Sequence, residues 1–249
     1  MRPLGKGRAM IFRQLFEPTA SAYTYLIGCE DTREAALIDP VLETADRDLQ
    51  VVGELELTLR YTIETHIHAD HVTGAARLRE ATGCKAAVPE RSKADHADLA
   101  IREGEAISIG KLRLHPLFVP GHTDDHHAYL LHGADGARVF TGDALMIDGC
   151  GRTDFQNGDA ATLFRAVHEK IFSLPDDTLV YPGHDYQQRR VSSVGQERAR
   201  NPRLGGGKTV DEFVAIMAGL NLPRPKKMDV AVPANRACGE ISSAENAKV

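Results

Sequence analysis

The chain has 249 residues and a net charge of −5; it is 42% hydrophobic and 26% charged, ordinary usage for a globular chain with room for one large α/β core. It has no basic block that would bind nucleic acid and no apolar run of bilayer length, so neither nucleic acid nor membrane is expected as a partner. Cys29, Cys84, Cys150 and Cys238 are scattered and include no C-x-x-C pair, which excludes a zinc ribbon and points to reduced thiols in a cytoplasmic setting.

The first residues lack the apolar stretch of a secretory signal and the Ser- and Arg-rich length of a mitochondrial leader, and Met10 offers a second start. Residues 11–16, 22–28 and 35–39 read as strands, with β-branched and aromatic side chains between turn residues. From 42 to 57 the period changes, and Ala45, Leu49, Val52 and Leu55 fall on one helical face. A short strand at 60–64 runs into a histidine cluster, and a helix at 74–82 stops at Gly83. Strand patterns resume at 85–88, 106–109, 111–119, 129–131 and 138–141. Leu163, Phe164, Val167 and Ile171 define an amphipathic helix that Asp159 is placed to cap. A last strand is read at 178–181, and beyond Gln187 polar, Gly- and Pro-rich sequence surrounds one helical segment at 210–220. Residues 10–187 are therefore expected to form a layered α/β metal-binding domain, with 188–249 as a C-terminal appendage packed on it rather than an independent domain.

The stretch Thr65-His66-Ile67-His68-Ala69-Asp70-His71 places three histidines and a carboxylate within six residues, between a strand and a helix. Such a turn can aim several donors at one point, and imidazole with carboxylate suits Zn, Fe or Mn rather than Ca or Mg. His122 in Gly121-His122-Thr123, Asp143 in Thr141-Gly142-Asp143 and His184 in Gly183-His184 stand at later strand ends, where loops gather α/β sites. Spacing leaves two arrangements open. His66, His68 and His122 could hold one metal while Asp70, His71 and His184 hold a second, with Asp143 bridging; or a single metal uses part of the set.

The order H-x-H-x-D-H, G-H-T, T-G-D, G-H resembles the metallo-β-lactamase superfamily over about residues 10–186. That resemblance implies an αββα sandwich with a metal between the sheet edges. Thr141-Gly142-Asp143-Ala144-Leu145, Gly149-Cys150-Gly151-Arg152-Thr153-Asp154-Phe155-Gln156 and Tyr181-Pro182-Gly183-His184-Asp185-Tyr186 look like its persulfide dioxygenase (sulfur dioxygenase) branch. So do 36–41, 201–204, 221–225 and 231–235, extending the resemblance to residues 11–239.

The resemblance implies a sulfur-metabolism oxidoreductase that oxidises glutathione persulfide with O₂ and water to sulfite and glutathione. One non-heme Fe(II) per chain would be held by His66, His122 and Asp143, leaving positions open for substrate and O₂. His68, Asp70, His71 and His184 would then orient those ligands from behind. The alternative reading keeps them as a second metal site, in a dinuclear zinc hydroxyacylglutathione thioesterase of glyoxalase II type. Asp70, His71 and Tyr186 are the candidate catalytic groups. Arg152, Arg203 and Lys208 are the candidate anchors for the glutathione carboxylates. A homodimer is expected. Two features depart from the family pattern: Asp148 stands where many members carry a basic residue, and Asp124-Asp125-His126-His127 replaces a Pro-Gly. His126 and His127 are read as turn or surface groups.

Overall fold

The computed structural model describes residues 10–240; the segment ahead of Met10 and the last part of the C-terminal appendage lie outside the described residues. Two six-stranded sheets face each other. The first contains β1 (Met10–Glu17), β2 (Ala22–Cys29), β3 (Glu34–Ile38), β4 (Thr58–Ile63), β5 (Lys85–Pro89) and β6 (Leu99–Ile101), side by side in chain order. It is antiparallel from β1 to β3 and parallel from β3 to β6. Its parallel crossovers carry helices α1 (Ala45–Glu54) and α2 (Ala75–Thr82) on the outer face. The second sheet contains β7 (Ile107–Ile109), β8 (Leu112–Phe118), β9 (His127–Gly133), β10 (Gly136–Gly142), β11 (Leu179–Pro182) and β12 (Ser192–Ser193), and runs from β12 back to β7. Helices α3 (Ala160–Ala166), α4 (Val194–Arg200) and α5 (Val210–Ala218) cover it, and α6 (Met228–Arg236) returns to the first sheet's side.

Burial explains the layering. Strand β3 is apolar on both faces: Ala36 and Ile38 join the core between the sheets with Tyr25, Ile63, Tyr129 and Phe140, while Ala35 and Leu37 pack under α1 and α2 with Val52 and Leu78. A strand buried on both faces reads as a continuous apolar run. A third cluster joins Val139 and Val180 of the second sheet to Leu163, Val167, Phe213 and Met217. The α/β/β/α sandwich expected from the sequence is the observed one.

Boundaries differ where tertiary contacts intervene. Residues Leu42–Thr44 form a separate 3₁₀ turn, and α1 ends at Glu54 because Glu56 turns into the left-handed region at φ 51°. The structure adds β6, the two-residue β12, α4 and α6 to the elements read from the sequence. Strand β12 extends the second sheet past residue 187, and Phe213 of α5 is fully buried beneath α3. Helix α6 contains Pro233, which conceals it from a periodicity reading. Among the described residues no helix is long and apolar enough to cross a membrane, and all four cysteines are buried and unpaired.

Candidate metal centre

The ends of β4, β8, β10 and β11 converge at one edge of the sandwich. Leaving β4, the chain passes Thr65, whose backbone N–H and hydroxyl both donate to Asp39, at 2.7 and 2.9 Å. That spends the Thr65 proton, so the 3.0 Å contact to His66 Nδ1 has the ring donating to Thr65 Oγ1 and leaves Nε2 as a bare lone pair. His122 is set the same way: its Nδ1 donates to the Arg152 carbonyl at 2.6 Å, which frees Nε2. Asp143 receives His184 Nδ1 on Oδ1 at 2.7 Å, while its Oδ2 lies 3.7 Å from His122 Nε2. One donor atom each from His66, His122 and Asp143 falls within 4.8 Å of the others. Three converging, oriented, unspent donors fit a first-row metal and leave one side of it open.

The electrostatics agree. Burial, followed by neighbouring His68, His122 and His126, holds His66 well below the usual imidazole range, so it is neutral and able to ligate. Burial alone would raise Asp143, but His184 and His122 outweigh it and hold the carboxyl at about 2. His184 is driven the other way: burial opposes its charge, yet Asp143 and Asp70 keep it protonated well above the usual value. Its Nε2 lies 2.9 Å from Asp70 Oδ2, so this imidazolium bridges the two carboxylates with both ring nitrogens spent.

The remaining cluster members stand behind this triad. His71 Nδ1 lies 3.0 Å from the same Asp70 oxygen. His68 turns its Nε2 to 3.2 Å from Asp39 Oδ1 and 3.8 Å from Glu64 Oε2, without the alignment of a hydrogen bond. His68, Asp70 and His71 also form a second set of donors within 4.8 Å of one another.

A cavity of about 660 Å³ opens over the triad, lined by His66, His122 and Asp143 at its floor and by Asp70, His184 and Tyr186 beside them. Tyr186 is 77% exposed and stacks on His184 with ring centroids 6.4 Å apart. Arg152 is on the wall but its guanidinium is occupied: it grips Asp154 at 2.6 and 2.7 Å and donates to the Pro223 and Leu222 carbonyls at 2.6 and 3.3 Å. Arg203 also lines the cavity, donating to the Cys150 carbonyl at 2.7 Å. Lys208 does not line it. The Gly205–Gly207 turn folds back on α4 through bonds to the Asn201 and Arg198 carbonyls and carries Lys208 to the start of α5, where its charge acts on Glu212. Lys226, unremarkable in the sequence, lines the cavity with no carboxylate partner among the described residues. Asp148, the reversed charge, is matched by Arg189 at 2.5 Å.

His126 and His127 are not surface groups; both are buried. His126 stacks 4.9 Å from His66, and its Nε2 accepts from the Asp143 N–H at 3.1 Å, so it helps seat a candidate ligand. The available signal was its position next to an inward-facing strand start, which only the register of β9 decides.

The pattern of the Metallo-beta-lactamase superfamily matches residues 19–184. The human protein named persulfide dioxygenase ETHE1, mitochondrial, is 51% identical over 94% of this chain and 91% of its own length. The chain belongs to the persulfide dioxygenase family of the metallo-β-lactamase superfamily. The crystal structure of ETHE1 from Myxococcus xanthus superposes with a TM-score of 0.89 at 55% identity, covering 93% of this chain and all of that one. A metallo-β-lactamase from Staphylococcus aureus follows at 0.83 and 26% identity, covering 92% and 72%. As a member of the persulfide dioxygenase family with a metal-binding donor set in place, the chain is a metal-dependent enzyme.

Proposed function

We infer that this enzyme is a persulfide dioxygenase: glutathione persulfide, O₂ and water give glutathione and sulfite, at a single Fe(II) held by His66, His122 and Asp143. The family relationship supports the reaction. The observation that carries the single metal is His184. With both nitrogens spent between Asp143 and Asp70, it occupies the position where a second metal would need a free imidazole, and His68 is drawn back toward Asp39. The second donor set of His68, Asp70 and His71 is what favours the dinuclear thioesterase alternative.

When bound, Fe(II) supplies one-electron chemistry with O₂ and a soft attachment point for the persulfide sulfur. The chain's own groups do the rest. His184 fixes the Asp143 carboxylate, and His126 holds the Asp143 backbone. Asp70, kept ionised by His71 and His184 against the cost of burial, reaches the cavity and is placed to take a proton from the water that releases sulfite. His71 orients Asp70 from behind, and Tyr186 lines the cavity beside them. Arg203 and Lys226 are the cations with capacity left for glutathione carboxylates, while Arg152 holds the 222–223 segment against the wall. A cytoplasmic setting fits the unpaired, buried thiols, and a homodimer is the proposed assembly, testable by sedimentation.

The test is oxygen uptake with glutathione persulfide by iron-loaded protein, with sulfite and bound metal quantified together. About one iron per chain and sulfite matching oxygen consumed are expected. Two zincs per chain with thioesterase turnover would replace this reading by the alternative.

A further inference from the structure

The metal-binding loop from Glu64 to Gly74 has no regular secondary structure, yet most of it is buried, so its backbone groups need partners from elsewhere. Part of that support comes from nearby: Ile67 N–H donates to Asp125 at 3.1 Å, and its carbonyl accepts from Gln156 at 2.7 Å. The rest comes from the far end of the chain. Asn235 on α6, 3% exposed, donates from Nδ2 to the His68 and His71 carbonyls, both at 2.9 Å, and accepts from the Thr73 N–H at 2.8 Å. All three bonds use the amide in one orientation; flipping it would set the NH₂ group against the Thr73 N–H. Ala231 and Ala234 of the same helix pack on Val72, and Gly239 lies where an added Cβ would stand 2.6 Å from the Thr73 carbonyl.

We propose that Asn235 is a positioning residue for the metal centre: through it, docking of α6 sets the loop that carries His66 and Asp70, and metal binding and α6 docking stabilise each other. The path is short. The span bonded to Asn235 begins two residues after His66 and includes Asp70, which holds His184, which in turn holds Asp143. The proposal rests on the assignment of His66, His122 and Asp143 as ligands. Outlying groups that orient metal ligands typically contribute about 10- to 100-fold in metal affinity or activity. Linkage requires reciprocity: if docking tightens the metal, the metal must tighten the docked helix.

The experiment uses the full chain, metal-free and loaded. Asn235→Asp keeps the acceptor for Thr73 but replaces the two donors with an oxygen facing two carbonyls. Fe(II) affinity by chelator competition, well below the melting temperature of the variant, is expected to fall about 10- to 100-fold. The visible absorption of the Co(II)-substituted protein is expected to change with it. Wild-type affinity and an unchanged Co(II) spectrum, with only a lower metal-free melting point, would mean Asn235 is merely structural and would overturn the proposal. Should the variant not fold, the wild-type protein decides: adding Fe(II) must slow hydrogen exchange across 228–236, and no change there also overturns it. Asp143→Ala is the separate control. If it keeps Fe(II), the ligand assignment has failed, whatever Asn235 does.

Discussion

Asp48 shows what an ionisable group costs away from the site. It is fully buried on α1; one carboxylate oxygen meets Arg47 at 2.7 Å and the other has no partner. Burial pushes its carboxyl up to about 6, with Arg47 pulling only part of the way back. Below about pH 4 both folded and unfolded chains hold the proton. Between there and about 6 only the unfolded chain releases it, so stability falls with rising pH through that window and then levels. Asp48→Asn removes the window. Relative to wild type it is expected to gain up to about 3 kcal/mol on going from pH 4 to 7.5, two pH units' worth of linkage, read by urea unfolding at both pH values. A difference independent of pH would show that Asp48 ionises freely in the fold. At the cavity, Arg203→Ala is expected to raise KM for glutathione persulfide by about 10- to 150-fold, the loss of one charge-assisted pair, and to spare a small persulfide without carboxylates. Arg152→Ala, which frees the 222–223 segment, is expected to harm both substrates alike. The reverse pattern would exchange the two roles.

At the level of elements, the candidate ligands depend on how strands end. Strand β10 reaches Asp143 through Gly142 at φ 49°, where an added Cβ would come within 2.6 Å of His126 and 2.8 Å of Thr65. Across from it, β11 ends before Gly183, whose missing Cβ leaves room for Asp143 Oδ1 at 2.8 Å. Gly183 has no left-handed backbone to preserve, so Gly183→Ala tests the close approach alone. The added methyl is expected to push the Asp143 carboxylate off His184, with a strain of about 1–3 kcal/mol. Iron content after desalting should fall while the far-ultraviolet circular dichroism stays unchanged. Full iron retention would mean that Asp143 does not need this seat.

For the whole molecule, the proposed metal site draws on both halves of the sandwich: His66 follows β4 of the first sheet, while His122 and Asp143 follow β8 and β10 of the second. A ligand that binds only the folded arrangement stabilises it, by about 2.7 kcal/mol at a hundredfold excess over Kd. Stripping the bound metal anaerobically is therefore expected to lower the melting temperature by about 5–10 °C for a chain of this size. An unchanged melting temperature would mean that no metal binds the folded chain in preference to the unfolded one. The proposed link through α6 adds the C-terminal segment to the same unit, because Asn235 closes the loop that β4 opens.

Local chemistry determined most of the architecture and the donor set. Apolar runs such as Ala35–Ile38, bounded by turn residues, read as buried strands, and His66, His122 and Asp143 sit after strand patterns, the last two each directly preceded by glycine. Those signals are carried by residues close together in the chain. What local sequence could not decide was which polar group meets which across the fold. Arg152 and Arg203 look equally suited to an anion, and only packing shows that Arg152 is already spent on Asp154 and the 222–223 carbonyls. His126 reads as a turn residue until the register of β9 turns it under His66. Asn235 lies 162 residues from Thr73, within a Pro-containing helix, and its role exists only once α6 is folded against the metal loop. Hydrophobic pattern is written along the chain, whereas hydrogen-bond satisfaction of buried polar groups is a property of the assembled interior.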